Sequence, residues 1–197
     1  MIVIGITGGV GAGKSQILDW LKQRWKVPFI RTDDTAKKLM EPGQEGYRQV
    51  IQVFGKSIVN PDESICRPAL AKLIFQNEEA RNQVNQITHP LVWNRVKEEL
   101  EDLASQGCRA AAVESAVFDS SGAALCGQIW YVYAPEEVRI QRLKKDRGYS
   151  QERCLSMISS QNTDQQFRDI SSQIIDNGGS WEQTKKQLDQ MMQNILA

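Results

Sequence analysis

The sequence has very few of the side chains that bind transition metals or carry redox chemistry. It contains one histidine, His89, and four widely spaced cysteines. No Cys-x-x-Cys pair occurs, so neither a zinc site nor a redox-active dithiol is expected. We expect the thiols to be reduced and to serve in packing. They are Cys66, Cys108, Cys126 and Cys154.

An excess of one charge and a long hydrophobic run are also missing. The 197 residues include 24 lysines and arginines against 24 aspartates and glutamates, so the formal net charge is zero. This balance argues against a nucleic-acid or membrane partner attracted by bulk electrostatics. The apolar run at the N-terminus is too short for a signal peptide or a membrane helix. We expect a cytoplasmic protein with small-molecule partners, without nucleic acid or membrane, as a monomer or a weak homo-oligomer.

The most informative segment that is present is the glycine-rich stretch 8–15, GGVGAGKS. It follows the apolar run 2–7 directly and matches the P-loop pattern, in which four residues separate two glycines and Lys and Ser or Thr follow. A strand, a tight turn and a helix starting near Gly13 would bring backbone N–H groups and the positive end of the helix to a phosphate. The other interpretation is a glycine-rich turn before an amphipathic helix, but residue types, spacing, strand and helix all favour a P-loop.

We therefore predict that this loop binds a nucleoside triphosphate. Lys14 would reach the β- and γ-phosphates, and the Ser15 hydroxyl would bind Mg²⁺. The predicted nucleotide-binding residues of the loop are Gly9, Gly11, Ala12, Gly13, Lys14, Ser15 and Gln16.

Apolar strand patterns alternate with helical patterns, which predicts an α/β fold with a five-stranded parallel sheet flanked by helices. The predicted strands are 2–7, 28–31, 109–114, 129–133 and 173–176. The predicted helices are about 13–25, 68–75, 78–88, 90–106, 136–145, 151–161 and 181–196, with two more in 34–54 broken at 41–43. Ile17, Leu18 and Leu21 should lie on the inner face of the first helix.

The helical block between the second and third strands is too large for a simple crossover. We interpret it, over about 35–107, as an inserted substrate-binding region of one P-loop domain. About 139–169 is interpreted as a lid. The core of the domain would then be about 1–34, 108–138 and 170–197.

Two acidic residues follow predicted strands. Asp33 comes after the second strand, whose carboxyl end faces the γ-phosphate site in a P-loop sheet, so its carboxylate can orient a hydroxyl or accept its proton. From position alone, a cap on the following helix explains Asp33 or its neighbour Thr32 equally well. Glu114 ends the apolar run 110–114 as in a Walker B strand, and it can hold Mg²⁺ through water or support the P-loop. Many buried strands also end in an acidic residue.

Basic residues are concentrated between 139 and 153, within the segment interpreted as a lid. Such a run is usually a solvated helix face. In a P-loop phosphotransferase, a mobile lid supplies positive charge to the phosphoryl group in transfer. We favour Arg142 or Lys145 for that role, and the sequence does not choose between them.

Two classes of P-loop protein compete for this chain, small-molecule kinases and GTPase switches. A switch recognises guanine with an Asn/Thr-Lys-x-Asp segment, which the sequence lacks. A short chain with a helical insert and a basic lid favours a kinase, in which closure brings donor and acceptor together and excludes water. The alternatives left open are a kinase for another nucleoside or small alcohol and a non-catalytic nucleotide-binding switch.

Several segments, in order along almost the whole chain, resemble the dephospho-CoA kinase family. They are the P-loop segment 5–15, DDTAK at 33–37, ITHP at 87–90, the basic segment 142–146 and IIDNGG at 174–179. Many families share the P-loop, whereas the ordered set with ITHP and IIDNGG is far more specific.

The resemblance implies a P-loop kinase fold and Mg·ATP-dependent phosphorylation of the ribose 3′-hydroxyl of dephospho-CoA, the last step of coenzyme A synthesis. It implies that Asp33 is the base or orienting group and that Lys14 and a lid cation stabilise the transferring group. It also implies that Asn177 and Gly179 lie against the ATP adenine. The acceptor-binding residues that it suggests are Thr7, Asp33, Lys37, Arg67, His89 and Glu114.

Three of the positions where the chain departs from the family pattern bear on the site. Gln16 stands where threonine is usual, which is tolerable because Ser15 already supplies the metal ligand. Lys37 stands where arginine is usual and keeps the charge without the two-pronged geometry. Lys145 stands at a lid position where arginine is common, so it competes with Arg142 for the lid role.

Overall fold

The computed structural model describes residues 1–196, which form five strands and ten α-helices. The strands are β1 Ile2–Thr7, β2 Phe29–Arg31, β3 Ala110–Glu114, β4 Gln128–Tyr133 and β5 Gln173–Asp176. The helices are α1 Lys14–Trp25, α2 Thr32–Leu39, α3 Glu45–Phe54, α4 Arg67–Gln76, α5 Glu78–Ser105, α6 Ser120–Leu125, α7 Glu136–Arg147, α8 Gln151–Ser159, α9 Asp164–Asp169 and α10 Trp181–Leu196. A 3₁₀ turn covers Gly55–Ile58.

The strands form one parallel sheet in the order β2-β3-β1-β4-β5. Strand β1 pairs in parallel with β3 on one side and with β4 on the other, and β4 pairs with β5. The registers place Ile6 opposite Glu114 and Thr7 opposite Tyr131. The segment after β1 therefore leaves the sheet beside the carboxyl ends of its two neighbours. The predicted five-stranded parallel sheet is confirmed.

Helix α1 packs against the sheet with the face that its sequence pattern predicts. Ile17, Leu18 and Leu21 have no exposed surface and join one core with the buried strand residues Ile4 and Ile6. Burying a side chain of this size stabilises the fold by about 1.5–3 kcal/mol. This packing fixes the start of α1, and with it the end of the P-loop, against the sheet.

The chain divides into two compact units. The first consists of Met1–Ile30 and the chain from Asp102 onward, and it contains the P-loop. The second, Arg31–Glu101, has a smaller core of its own around Val50, Ile58 and Ile65.

Helix α5 corrects one sequence-based prediction. We expected two helices, 78–88 and 90–106, because proline has no N–H to donate to the carbonyl four residues earlier and clashes with it. The structure shows one helix of 28 residues, Glu78–Ser105, with Pro90 inside it. Val92, Trp93 and Val96 are buried just beyond the proline. Tertiary burial of this face outweighs the loss of one backbone hydrogen bond.

The sequence pattern also missed two short helices, α6 and α9. Each is one to two turns long and begins at a side-chain cap, Asp119 for α6 and Thr163 for α9. Such elements are too short to show a helical periodicity.

The cysteines fit the expectation of unpaired thiols. All four are free, and Cys154 is buried. Burial raises the pKa of the Cys126 thiol to about 12, which keeps it protonated and unreactive at neutral pH. Among residues 1–196, no helix is long and apolar enough to cross a membrane.

Candidate active site

The P-loop connects β1 to α1, so the strand, turn and helix follow one another as the sequence predicts. Gly8 and Gly13 have φ of 143° and 97°, a region that other residues rarely adopt. A Cβ on Gly8 would lie 2.5 Å from the carbonyl oxygen of Val132, so the close approach to β4 requires glycine. Helix α1 begins at Lys14, immediately after Gly13. Its first backbone N–H groups have no partners within the helix, which makes this turn suited to an anion.

The Lys14 side chain folds back over the loop. Its Nζ donates to the carbonyl of Gly8 at 2.7 Å and lies 3.5 Å from Oε1 of Glu114. Both side chains are mostly buried, with 14% and 18% exposed for Lys14 and Glu114. The structure thus brings together two predicted site residues that are 100 positions apart in the chain. Ser15 and Gln16 are exposed in the first turn of α1.

A second set of contacts holds the loop at Ala12. Asn177, the residue after β5, is 2% exposed, and its Nδ2 donates to the Ala12 carbonyl at 2.7 Å. Thr184 Oγ1 donates to Oδ1 of Asn177 at 2.9 Å. Arg142 of α7 donates to the Ala12 carbonyl at 3.3 Å and to the Asn177 carbonyl at 2.7 Å. Both polar atoms of the Asn177 carboxamide thus take part in supporting the loop, and the adenine contact expected of Asn177 and Gly179 stays a prediction.

Two further residues contact the loop at Val10, and neither was among the predicted site residues. Arg139 Nε donates to the Val10 carbonyl at 2.8 Å. Oε1 of Gln161 accepts from the Val10 N–H at 2.7 Å and from Nη2 of Arg139 at 3.4 Å. Burial lowers the pKa of Arg139, which at neutral pH is nevertheless charged. The basic run from 139 to 153 was a signal for Arg139, whereas no local pattern marks Gln161.

The chain after Gln161 is attached to the sheet through Tyr131 of β4. The Tyr131 hydroxyl donates to Oδ1 of Asp164 at 2.7 Å, and its ring stacks on Phe167 with centroids 5.1 Å apart. Burial, together with this hydrogen bond, raises the pKa of Tyr131. Burial alone would raise the pKa of Asp164, but hydrogen bonds from Arg168 and Tyr131 bring it below its ordinary value. Asp164 is therefore a charged acceptor that fixes α9 to β4.

In the second unit, two neighbouring acids in the first turn of α2 differ in their surroundings. The helix begins at Thr32 and its cap position is Arg31, so Asp33 does not cap it. Oδ1 of Asp34 lies 2.9 Å from Nζ of Lys37, and this hydrogen bond lowers the pKa of Asp34. The Asp33 carboxylate is exposed and makes no hydrogen bond or ion pair with any residue in 1–196.

The second unit also contains an open cavity of about 560 Å³. Two cationic side chains, Lys37 and Arg67, line it, and both are predicted acceptor-binding residues. Its other walls are Ala36, Met40, Glu41, Pro42, Asn60, Ser64, Ile65, Pro68 and Leu70. A space with cations beside apolar side chains suits a ligand that carries phosphate groups on an otherwise apolar chain.

The remaining predicted site residues are Lys145, His89 and Thr7. Lys145 is exposed in the last turn of α7, next to Lys144. His89 is half-buried in the middle of α5, in the second unit. Thr7 is fully buried at the end of β1, and its hydroxyl donates to the Ala116 carbonyl at 3.5 Å.

A known protein family matches almost the whole chain. A family model described as dephospho-CoA kinase matches residues 2–183. The dephospho-CoA kinase of Oceanobacillus iheyensis is 35% identical over 193 residues, which cover 98% of this chain and 96% of that protein.

Solved structures share the fold over nearly the whole chain. A crystal structure of a Thermus thermophilus protein has a TM-score of 0.82 and 26% identity, and it covers 98% of this chain and 97% of its own. The dephospho-CoA kinase from Campylobacter jejuni has a TM-score of 0.71 at 22% identity, with 98% and 96% covered.

The role of Asn177 can be tested by Asn177→Leu, which keeps the size of the side chain and removes both hydrogen bonds. We expect the free energy of unfolding, measured with urea, to fall by about 1–3 kcal/mol, because the Ala12 carbonyl loses a buried donor. Asn82→Leu, at an exposed position in α5, is the control and should change stability by less than about 0.5 kcal/mol. Equal losses in the two variants would contradict a special role for Asn177.

Proposed function

The chain belongs to the dephospho-CoA kinase family, and we propose which of its residues carry that family's reaction, phosphorylation of the ribose 3′-hydroxyl of dephospho-CoA by ATP. The protein is a phosphotransferase with an alcohol group as acceptor. The family match over residues 2–183 is the observation that carries this conclusion. Nothing in the comparisons favours the alternatives, a kinase for another alcohol or a nucleotide-binding switch.

The donor site is proposed at the P-loop. The β- and γ-phosphates would bind the amides of the loop and of the first turn of α1, where the helix dipole favours negative charge. Lys14, now bonded to the Gly8 carbonyl and close to Glu114, would exchange these contacts for phosphate oxygens. Glu114 and Gly8 would hold its ammonium group ready at the loop. Because little covalent chemistry falls to the protein in phosphoryl transfer, this positioning is its main contribution.

The residues present fit a magnesium ion held mainly by the nucleotide. No group of three or more His, Cys, Asp or Glu side chains in residues 1–196 is arranged to hold a metal. Mg²⁺ keeps several waters and binds phosphate oxygens with one or two protein oxygens, so one exposed hydroxyl, that of Ser15, is sufficient. When bound there, Mg²⁺ would neutralise part of the phosphate charge.

Asp33 is proposed as the group that orients the 3′-hydroxyl and accepts its proton. Its carboxylate is exposed and has no cationic partner within residues 1–196, so it is available to a hydroxyl. The cavity in the second unit is proposed to bind the remainder of the acceptor. Lys37 and Arg67 would contact its phosphates, and the apolar walls would contact its pantetheine arm. His89 and Thr7 remain candidate acceptor-binding residues, and neither is assigned to a particular part of the acceptor.

Lys145 is proposed as the lid cation. Arg142, the competing candidate, already donates to the carbonyls of Ala12 and Asn177 and therefore supports the loop. Lys145 is exposed at the end of α7 and has no partner in the described part of the chain. The division into core, acceptor insert and lid is kept as part of this proposal. A cytoplasmic location, a monomeric or weakly oligomeric state and the absence of nucleic-acid and membrane partners stay predictions.

The activity is tested by ADP release with Mg·ATP, with and without dephospho-CoA. We expect ADP release that depends on dephospho-CoA, with coenzyme A identified as the product by mass. ATP binding without turnover on dephospho-CoA would contradict the proposed acceptor.

The role of Asp33 is tested by Asp33→Asn, which removes the proton acceptor and keeps the shape of the side chain. We expect kcat to fall at least about 10²-fold with an unchanged melting temperature. Asp34→Asn is the matched control, since the neighbouring carboxylate is already paired with Lys37, and it should keep kcat within about threefold. Near-normal turnover in Asp33→Asn would remove this residue from the mechanism.

The choice of lid cation is tested by Lys145→Ala beside Lys144→Ala. Both lysines are exposed in the last turn of α7, so the two variants should lose equal stability. We expect kcat to fall about 10²-fold in Lys145→Ala alone, because a donor to the transferring group is lost. If the two variants have the same kcat, Lys145 is not the lid cation.

A further inference from the structure

Val10, in the middle of the P-loop, has both of its backbone groups bonded by side chains from elsewhere in the chain. Its N–H donates to Oε1 of Gln161 at 2.7 Å, and its carbonyl accepts from Nε of Arg139 at 2.8 Å. These partners are 151 and 129 residues away in sequence. Nη2 of Arg139 also donates to Oε1 of Gln161 at 3.4 Å, so the three residues form one closed set of contacts.

No backbone–backbone hydrogen bond within the loop supports Val10. Val10 lies between Gly9 and Gly11, outside both β1 and α1, so no strand or helix ladder takes its backbone groups. The glycines on both sides of Val10 give the backbone many accessible conformations, and Gly11 has φ of 78°. A loop whose amides bind phosphate must keep one conformation, because disorder in it has to be removed when the ligand binds.

Both partners are themselves fixed. Arg139 is half-buried and packs on the loop so closely that a Cβ on Gly11 would lie 2.8 Å from the Arg139 carbonyl oxygen. Gln161 lies between α8 and α9, and α9 is attached to β4 by the contacts of Tyr131 with Asp164 and Phe167. The contact to Val10 is therefore made by a part of the lid segment that is attached to the sheet next to Gln161.

We propose that Arg139 and Gln161 are positioning residues for phosphoryl transfer, which hold Val10 so that the P-loop keeps the conformation in which its amides bind the phosphates of ATP. This inference rests on the proposed role of the P-loop as donor site. It assigns a function to two residues outside the loop, and it makes the geometry of the loop depend on how α7 and α9 pack against the sheet. Neither residue contacts the transferring group in this account.

The test compares Gln161→Met with Gln161→Glu and with a control, Gln165→Met. The methionine variant keeps the length of the side chain and removes the acceptor, whereas the glutamate variant keeps an acceptor of the same reach. Gln165 is exposed in α9, and its Nε2 donates to Asp169 rather than to the loop. Its replacement should therefore leave the loop unchanged.

The first readout is hydrogen exchange at the Val10 amide without nucleotide, which does not depend on any activity. We expect the protection of this amide to fall at least about tenfold in Gln161→Met and to be retained in Gln161→Glu and Gln165→Met. In the same Gln161→Met protein, the Kd for ATP should rise about 5- to 10-fold, while the KM for dephospho-CoA stays near that of the parent. The melting temperature should fall by only about 2–4 °C, the cost of one lost hydrogen bond. Gln161→Met could lose protection at Val10 while the parent protein shows no dephospho-CoA kinase activity. That outcome would contradict the proposed function and still support the contact between Gln161 and Val10.

Arg139→Met gives the same test through the Val10 carbonyl, and it replaces Gln161→Met if that variant does not fold. Since both residues act on Val10, the effects of the two substitutions should not add. The Kd of the double variant for ATP should lie within about twofold of the Kd of the single variant that binds more weakly. Unchanged Val10 exchange and unchanged ATP affinity in both single variants would overturn the proposal. So would a fall in melting temperature without any change in ATP affinity, because it would show a purely structural role.

Discussion

The P-loop depends on hydrogen bonds that it cannot make with itself. Residues 8–13 lie outside every strand and helix, and the Ala12 N–H to the Gly9 carbonyl, at 3.2 Å, is a backbone hydrogen bond within this turn. The other buried polar groups of its backbone require partners from elsewhere. In this chain the partners are side chains. Asn177 and Arg142 hold the Ala12 carbonyl, while Arg139 and Gln161 hold the two backbone groups of Val10.

The order of the strands makes these contacts possible. Because β1 is central, the residues that follow β3, β4 and β5 converge on the same edge of the sheet. The parallel register sets Glu114 opposite Ile6, close enough for its carboxylate to approach Lys14. The same convergence brings Asn177 from the end of β5 to the start of α1. A ligand site at the carboxyl edge of the strands is the usual consequence of this architecture.

A formal net charge of zero conceals a strongly uneven local distribution. Three cations of the first unit, Lys14, Arg139 and Arg142, have side chains bonded to carbonyls of the P-loop or of its supporting residues. They surround with positive charge a loop that is proposed to bind a polyphosphate. In the second unit, Lys37 and Arg67 line a cavity with mostly apolar walls, a combination suited to the phosphates and the chain of a dephospho-CoA molecule.

The sequence by itself determined most of the elements and the family of this protein, and tertiary structure decided how the site is supported. Strand alternation, the spacing of the P-loop and the inner face of α1 are local patterns, so β1, β5 and α1 could be located from neighbouring residues alone. Local rules failed at Pro90, where burial of one helix face outweighed a missing hydrogen bond, and they gave no sign of Gln161. The contacts of Asn177, Arg139 and Gln161 with the loop join residues 129 to 165 positions apart. Hydrogen bonds of such range exist only after the sheet has brought distant strand ends together, and no local pattern of side chains specifies them.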